Sequence, residues 1–220
     1  GLLLGSISDS VTGFLDSPQA AEFLEKLGGT SALADAFLAT ELSFGGIIVA
    51  AYGISAASRL HAEEAEGHAA ALLAAPVSRL RWAASHTVIA LVGVAVILAL
   101  LGLAMGIGNT LALGDAGRLS SLLTAALARV PAAWVLTGVV LVLFGWMPRW
   151  VPLIWGIFVL AFAIGEFGPL WNAPQWLMDL SPFVHSPRLP AVDSSVAGLL
   201  PLTLVALALV VVGMLGWRRR

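Results

Sequence analysis

The chain has 220 residues, of which 59% are hydrophobic and 11% charged, with a formal net charge of −2. Soluble domains carry about 45–50% apolar and about 25% charged residues, so a soluble single-core protein is excluded, as are a disordered chain and a basic nucleic-acid binder. The apolar residues run in blocks of about 20, the length that lets a helix cross a bilayer, and the fold class is therefore all-α, a polytopic helical membrane protein.

The opening Gly1–Ile7 is apolar and lacks an initiator Met. It reads as the outer end of a helix whose beginning is missing, so the chain is expected to be part of a six-helix unit with five complete spans. Residues 1–37 then hold this helix end and a polar, acidic outer segment. Within it, Ser17-Pro18 starts and Gly28-Gly29 stops a short amphipathic helix over Pro18–Leu27. The first full span is Leu38–Ala57, with Glu41 near its start. Residues 58–86 form a cytoplasmic segment. Residues 87–217 carry the spans Thr87–Ile107, Pro131–Met147, Val151–Phe167 and Val196–Trp217, with an outer loop over 166–196, and 218–220 is a cytoplasmic tail. Pro131–Met147 and Val151–Phe167 have 17 residues each. At about 1.5 Å per residue they cover only about 25 Å, so they borrow from their flanks, with Ser120–Ala128 as the natural extension of the former.

Lys and Arg counts in the short loops set the orientation. With the C-terminus inside, the cytoplasmic side holds seven: Arg59, Arg79, Arg81, Arg149 and Arg218–Arg220. The other side holds four: Lys26, Arg118, Arg129 and Arg188. The expected location is the plasma membrane, with the C-terminus in the cytosol.

Several chemistries lack their residues. There is no cysteine, which removes thiol catalysis and Cys-based metal sites. The single lysine, Lys26, follows Ala21-Glu22-Phe23-Leu24-Glu25 rather than a glycine-rich loop, so no P-loop exists. There is no HExxH and no GxSxG, and His61 and His68, seven apart with Gly67 between them, have no Cys to support a metal site. The chain is expected to do no chemistry itself and to hold no metal or cofactor. Any ATP and Mg must sit on another polypeptide.

The segment Arg59–Ser85 is the most distinctive. Glu63, Glu64 and Glu66 precede Gly67, then an Ala/Leu stretch with Leu72 and Leu73 runs to Pro76-Val77-Ser78-Arg79. This pattern predicts a short helix outside the membrane with Leu72, Leu73 and Val77 as an apolar ridge; Ser78 caps the next helix, and Arg79, Arg81 and Trp82 sit at the headgroups. From spacing alone, the ridge either fits a partner groove or lies on the membrane surface. The outer loop carries five prolines, at 169, 174, 182, 187 and 190, so Gln175–Leu180 forms at most a turn or two of helix.

Glu63-Glu64-x-Glu66-Gly67 with Leu72-Leu73-Ala74-Ala75-Pro76-Val77-Ser78-Arg79 resembles the ABC-2 type transporter permeases, most closely the actinobacterial subgroup described as exporters of polyketide antibiotics. Leu180-Ser181-Pro182-Phe183-x-His185-x-Pro187-x-Leu189-Pro190 is similar to the outer loop of that subgroup. The resemblance runs from the tail of a first helix to the sixth, and fits a C-terminal half. It implies an ATP-driven drug exporter, in which Glu63, Glu64, Glu66, Gly67, Leu72, Leu73, Pro76, Val77, Ser78 and Arg79 belong to a coupling helix seated in a cytosolic ABC ATPase subunit. It also implies a second six-helix permease half as partner. Where family members often place an acid three residues after the glycine, this chain has Ala70.

Within the spans, Phe44, Tyr52, Trp155 and Phe158 are candidates to line a path for an apolar or amphipathic compound. Glu41, Arg129 and Glu166 are candidate charges at an outer gate, because a charge at mid-bilayer would cost about 2.5–3.5 kcal/mol. Gly102-x-x-x-Gly106, with Gly45, Gly46 and Gly53, permits close helix approach. The alternatives are a secondary transporter, disfavoured by the scarcity of intramembrane ionisable groups, and a non-transporting scaffold subunit.

Overall fold

A computed structural model describes residues 29–65, 79–113, 117–187, 189 and 198–219. The expected helix end at Gly1–Ile7, the amphipathic helix over Pro18–Leu27 and the segment 66–78 lie outside the described residues. The described residues form helices and turns only. We label them α1 (Gly29–Ala65), α2 (Arg79–Leu113), α3 (Gly117–Leu127), α4 (Val130–Trp146), α5 (Ile154–Phe167), α6 (Gln175–Met178) and α7 (Leu199–Arg218). Five stretches are long and apolar enough to span a membrane: Asp35–Glu64, Leu80–Leu111, Gly117–Trp146, Pro148–Trp171 and Leu199–Arg218.

Lengths differ in an instructive way. Helix α1 has 37 residues and α2 has 35. At about 1.5 Å per residue each exceeds about 50 Å, well beyond a hydrocarbon core of about 30 Å, so both project out of the bilayer. Helix α7, with 20 residues, only just spans it. The first span thus begins before Leu38, and residues Arg59–Ala65 and Arg79–Ser85, expected in a connecting segment, are helical continuations.

The third span is a broken helix. Pro131 has no N–H to give to the carbonyl of Leu127 and crowds it, so the chain turns at Ala128-Arg129 between α3 and α4. The gap is bridged by Ala128 N donating to Thr124 O at 2.9 Å and Arg129 N to Ala126 O at 3.1 Å. Pro148 and Pro152 similarly confine residues 148–153 to a 3-10 helix that leads into α5. At the other end of α5, a 3-10 turn over Gly168–Trp171 closes on Asn172 at φ 50°, the left-handed conformation that Asn tolerates. Helix α6 is the single turn that the prolines allow.

Helix α4 is the hub, packing against α1, α2 and α7. Successive spans alternate in direction, so α4 and α7 run parallel. They touch through glycines. A Cβ on Gly138 would lie 2.8 Å from Leu209 Cβ, and one on Gly213 would lie 2.6 Å from the Leu141 carbonyl carbon. A Cβ on Gly145 would strike Gly213 O, and one on Gly216 would strike the Trp146 ring. The Trp146 indole Nε1 donates to Val212 O at 3.0 Å across this seam. On the other side of the bundle, Gly102 and Gly106 of α2 press against Leu123, Ala126 and Leu119 of α3, as their spacing predicts. Ile54, Leu60, Val94, Leu98, Leu136, Val140 and Ile154 fill the main core, and Leu42, Leu122, Ala125 and Ala126 form a smaller one under α3.

Candidate functional site

Arginines mark one end of the bundle: Arg59, Arg81, Arg149 and Arg218 are all exposed there. Arg149 lies over the Trp150 ring at 5.7 Å and Arg219 over Trp146 at 5.3 Å, pairings that suit a water–lipid boundary. At this end α1 delivers Glu63 and Glu64 in its last turn, and α2 starts at Arg79. Of the residues in the acidic–Gly–LL–PVSR pattern, Glu66, Gly67, Leu72, Leu73, Pro76, Val77 and Ser78 lie outside the described residues.

The two helices that flank this segment are tied together. His86 Nε2 of α2 lies 3.4 Å from the Glu63 carboxylate of α1. One turn away, Trp82 is only 7% exposed, because the neighbouring helix ends supply rings to cover it. Its centroid is 5.2 Å from His86 and 5.9 Å from Trp217 of α7, which stacks at 4.8 Å on Phe144 of α4. His61 of α1 approaches Phe144 edge-on at 6.5 Å. A patch of aromatic rings therefore clasps the ends of α1, α2, α4 and α7 where the flanking helices enter. Sequence reading missed it: the rings come from four helices with no shared spacing, and Trp at a span end ordinarily signals an interface.

A second surface runs along α1. Phe37, Glu41, Phe44, Ile48, Tyr52, Ser55 and Arg59 are exposed and recur every three to four residues, so they form one stripe down the helix. The stripe carries charges toward its two ends, Glu41 and Arg59, and a phenol and a hydroxyl, Tyr52 and Ser55, nearer its middle. Polar groups inside a membrane face protein or a water-filled cavity. Tyr52 leans over α2 against Gly93, where a Cβ would meet its ring. Trp155 and Phe158 lie together on α5 with centroids 6.1 Å apart, Trp155 exposed and Phe158 packed on the core. Among the described residues no ring contact joins this pair to Phe44 or Tyr52.

The three candidate gate charges occupy different settings. Glu41 is exposed on the stripe and Glu166 is half-buried in the last turn of α5. Arg129, counted above with the loop arginines, is only 6% exposed. Its aliphatic stem rests on Gly46 of α1, where a Cβ would come within 3.2 Å, so the break between α3 and α4 turns this side chain into the bundle. Elsewhere, His86 Nε2 faces the Glu63 carboxylate and, between α3 and α1, Arg118 Nη1 pairs with Asp35 Oδ1 at 2.6 Å. Beyond α5, the chain folds back onto that helix. Ser181 Oγ donates to Ala161 O at 2.7 Å, and Ser181 with Phe183 fits against Gly165.

Comparison with known proteins supplies the lineage. Residues 1–218 match the family described as the C-terminal domain of the multidrug efflux system permease Rv1217c. The chain is 38% identical over 222 aligned positions to the multidrug efflux system permease protein Rv1217c of Mycobacterium tuberculosis (strain ATCC 25618 / H37Rv). The alignment covers all of this chain and 40% of that relative, so the chain spans less than half the length of the protein it matches. Five spans, the small-residue seams and a match over nearly its whole length agree: this chain belongs to the multidrug efflux permease C-terminal domain family.

Proposed function

We propose that the chain is the membrane half of an ATP-driven ABC-2 exporter that moves apolar or amphipathic compounds out of the cell. The observation that carries this is the exposed α1 stripe, a surface of aromatic and polar side chains left open by the other described helices. A second six-helix half covers it, and the path for cargo runs between the halves, past Phe44 and Tyr52, with Trp155 and Phe158 on its flank and Glu41, Arg129 and Glu166 toward its outer mouth.

The arginine end is the cytoplasmic one, and the C-terminus lies there, in the plasma membrane. The burial of Arg129 supports this orientation, since removing it from the loop count leaves seven basic residues against three. A cytosolic ABC ATPase, which binds ATP and Mg, grips the segment from Glu63 to Arg79 through Leu72, Leu73 and Val77. Its motion reaches α4 and α7 through Trp82, Trp217 and Phe144. The name of the Mycobacterium relative, a multidrug efflux permease, supports the direction and the cargo class.

The test is co-purification of the permease with its ATPase, before and after Leu72→Asp and Leu73→Asp. Each substitution is expected to lower both the ATPase recovered and the transport rate at least tenfold while leaving the permease folded. Undiminished binding and transport would remove the coupling role.

A further inference from the structure

At the end of the bundle opposite the arginines, the returning segment 179–185 leaves a cavity of about 350 Å³ against α4 and α7. Val135 of α4 and Leu202 and Val205 of α7 line it on one side, and Leu180 and Pro182 on the other. Its volume is at the small end of the range for drug-sized ligands, roughly 300–1,000 Å³, and its mix of apolar wall and few polar groups is that of a ligand site.

The polar side chains among the described lining residues are Asp179 and His185. Asp179 Oδ1 accepts from Gln175 Nε2 at 2.8 Å, which fixes the carboxylate and leaves Oδ2 for another donor. His185 Nε2 lies 2.9 Å from the backbone oxygen of Asp179. A carbonyl only accepts, so in the neutral ring Nε2 holds the proton and Nδ1 is a second acceptor. Among the described residues that line the cavity there is no lysine or arginine. An anion would meet a fixed carboxylate here, and a neutral apolar molecule would leave both acceptors unused.

We propose that this cavity binds amphipathic organic cations, lipophilic amines whose ammonium group sits between Asp179 and His185 and whose apolar body lies along α7. The site is distinct from the α1 stripe, and its occupancy does not depend on the export reading.

The experiment uses the intact permease in phosphatidylcholine nanodiscs, with empty nanodiscs as the baseline. The probe is dansylcadaverine, a fluorescent primary amine, against its uncharged N-acetyl derivative. Saturable binding of the amine is expected, with the acetylated probe about fivefold weaker, the contrast that one partly solvated charge pair provides. Asp179→Asn, a change at an exposed side chain, is expected to weaken the amine about fivefold and leave the acetylated probe unchanged. Val205→Trp fills the cavity and is expected to abolish both. Fluorescence no greater than in empty nanodiscs, or two probes within twofold of each other and indifferent to Asp179→Asn, would overturn the proposal.

Discussion

The α4–α7 seam and the α1 stripe are both helix surfaces at membrane depth, yet they are built on opposite principles. The seam places glycine against backbone: Gly145 against Gly213 O, and Gly213 against Leu141. The stripe leaves the large side chains Phe44 and Ile48 exposed, with Tyr52 resting only partly on Gly93 of α2, among the described residues. Lipid tails are as apolar as leucine, so helices in a bilayer join by close van der Waals contact and hydrogen bonds rather than by the hydrophobic effect. A surface made of small residues is therefore finished, with its partner already in place. One made of aromatics, a carboxylate and hydroxyls has no such small-residue partner among the described helices.

That contrast is breakable. The largest effect belongs to Gly145→Leu, because the group it strikes is backbone and cannot swing aside. A loss of about 3 kcal/mol is expected, the top of the usual range for overpacking, read as an earlier midpoint in detergent-denaturation followed by tryptophan fluorescence. Trp146→Phe removes the Nε1 bond to Val212 O together with the pyrrole edge that packs on Gly216, with an expected loss of about 1–2 kcal/mol in the same assay. On the stripe, Phe44→Ala and Ile48→Ala are expected to shift stability by less than about 0.5 kcal/mol, since neither side chain is enclosed. The same two changes are expected to alter transport several-fold, measured as efflux of a fluorescent amphiphile from inverted vesicles. The chain has no cysteine, so Ile48→Cys provides a clean label. It is expected to crosslink to another permease helix and to resist lipid-soluble quenchers, whereas Leu204→Cys on the exposed side of α7 is expected to be quenched.

Much of the fold is legible from block length alone. The five apolar stretches, the extension of the third by Ser120–Ala128 and the single turn at Gln175 follow from hydropathy and proline placement. Gly102-x-x-x-Gly106 also announces its close contact, which its hairpin neighbour α3 supplies. The parallel pairing of α4 with α7 is not legible, because Gly138 and Gly145 stand seven apart, Gly213 and Gly216 three apart, and fifty-odd residues separate the two helices. Arg129 misleads for a related reason. An arginine beside a proline reads as a loop residue, and only the glycine at position 46 on another helix makes room for it inside. Of the candidate site, the pathway aromatics are legible as types, but the stripe emerges only when exposure is laid along α1, and the ring cluster at Trp82 requires four helix ends at once.

The parallel seam also bears on how the molecule is made. The groove of α4 that takes α7 is complete once Trp146 leaves the ribosome, but its filler starts only at Leu199, 53 residues later. At about 5–20 residues per second that is a delay of roughly 3–10 s, during which the glycine groove must be held by lipid, insertase or chaperone. Biogenesis of this bundle is thus gated by α7, and nascent chains stalled before Leu199 are predicted targets for membrane quality-control proteases.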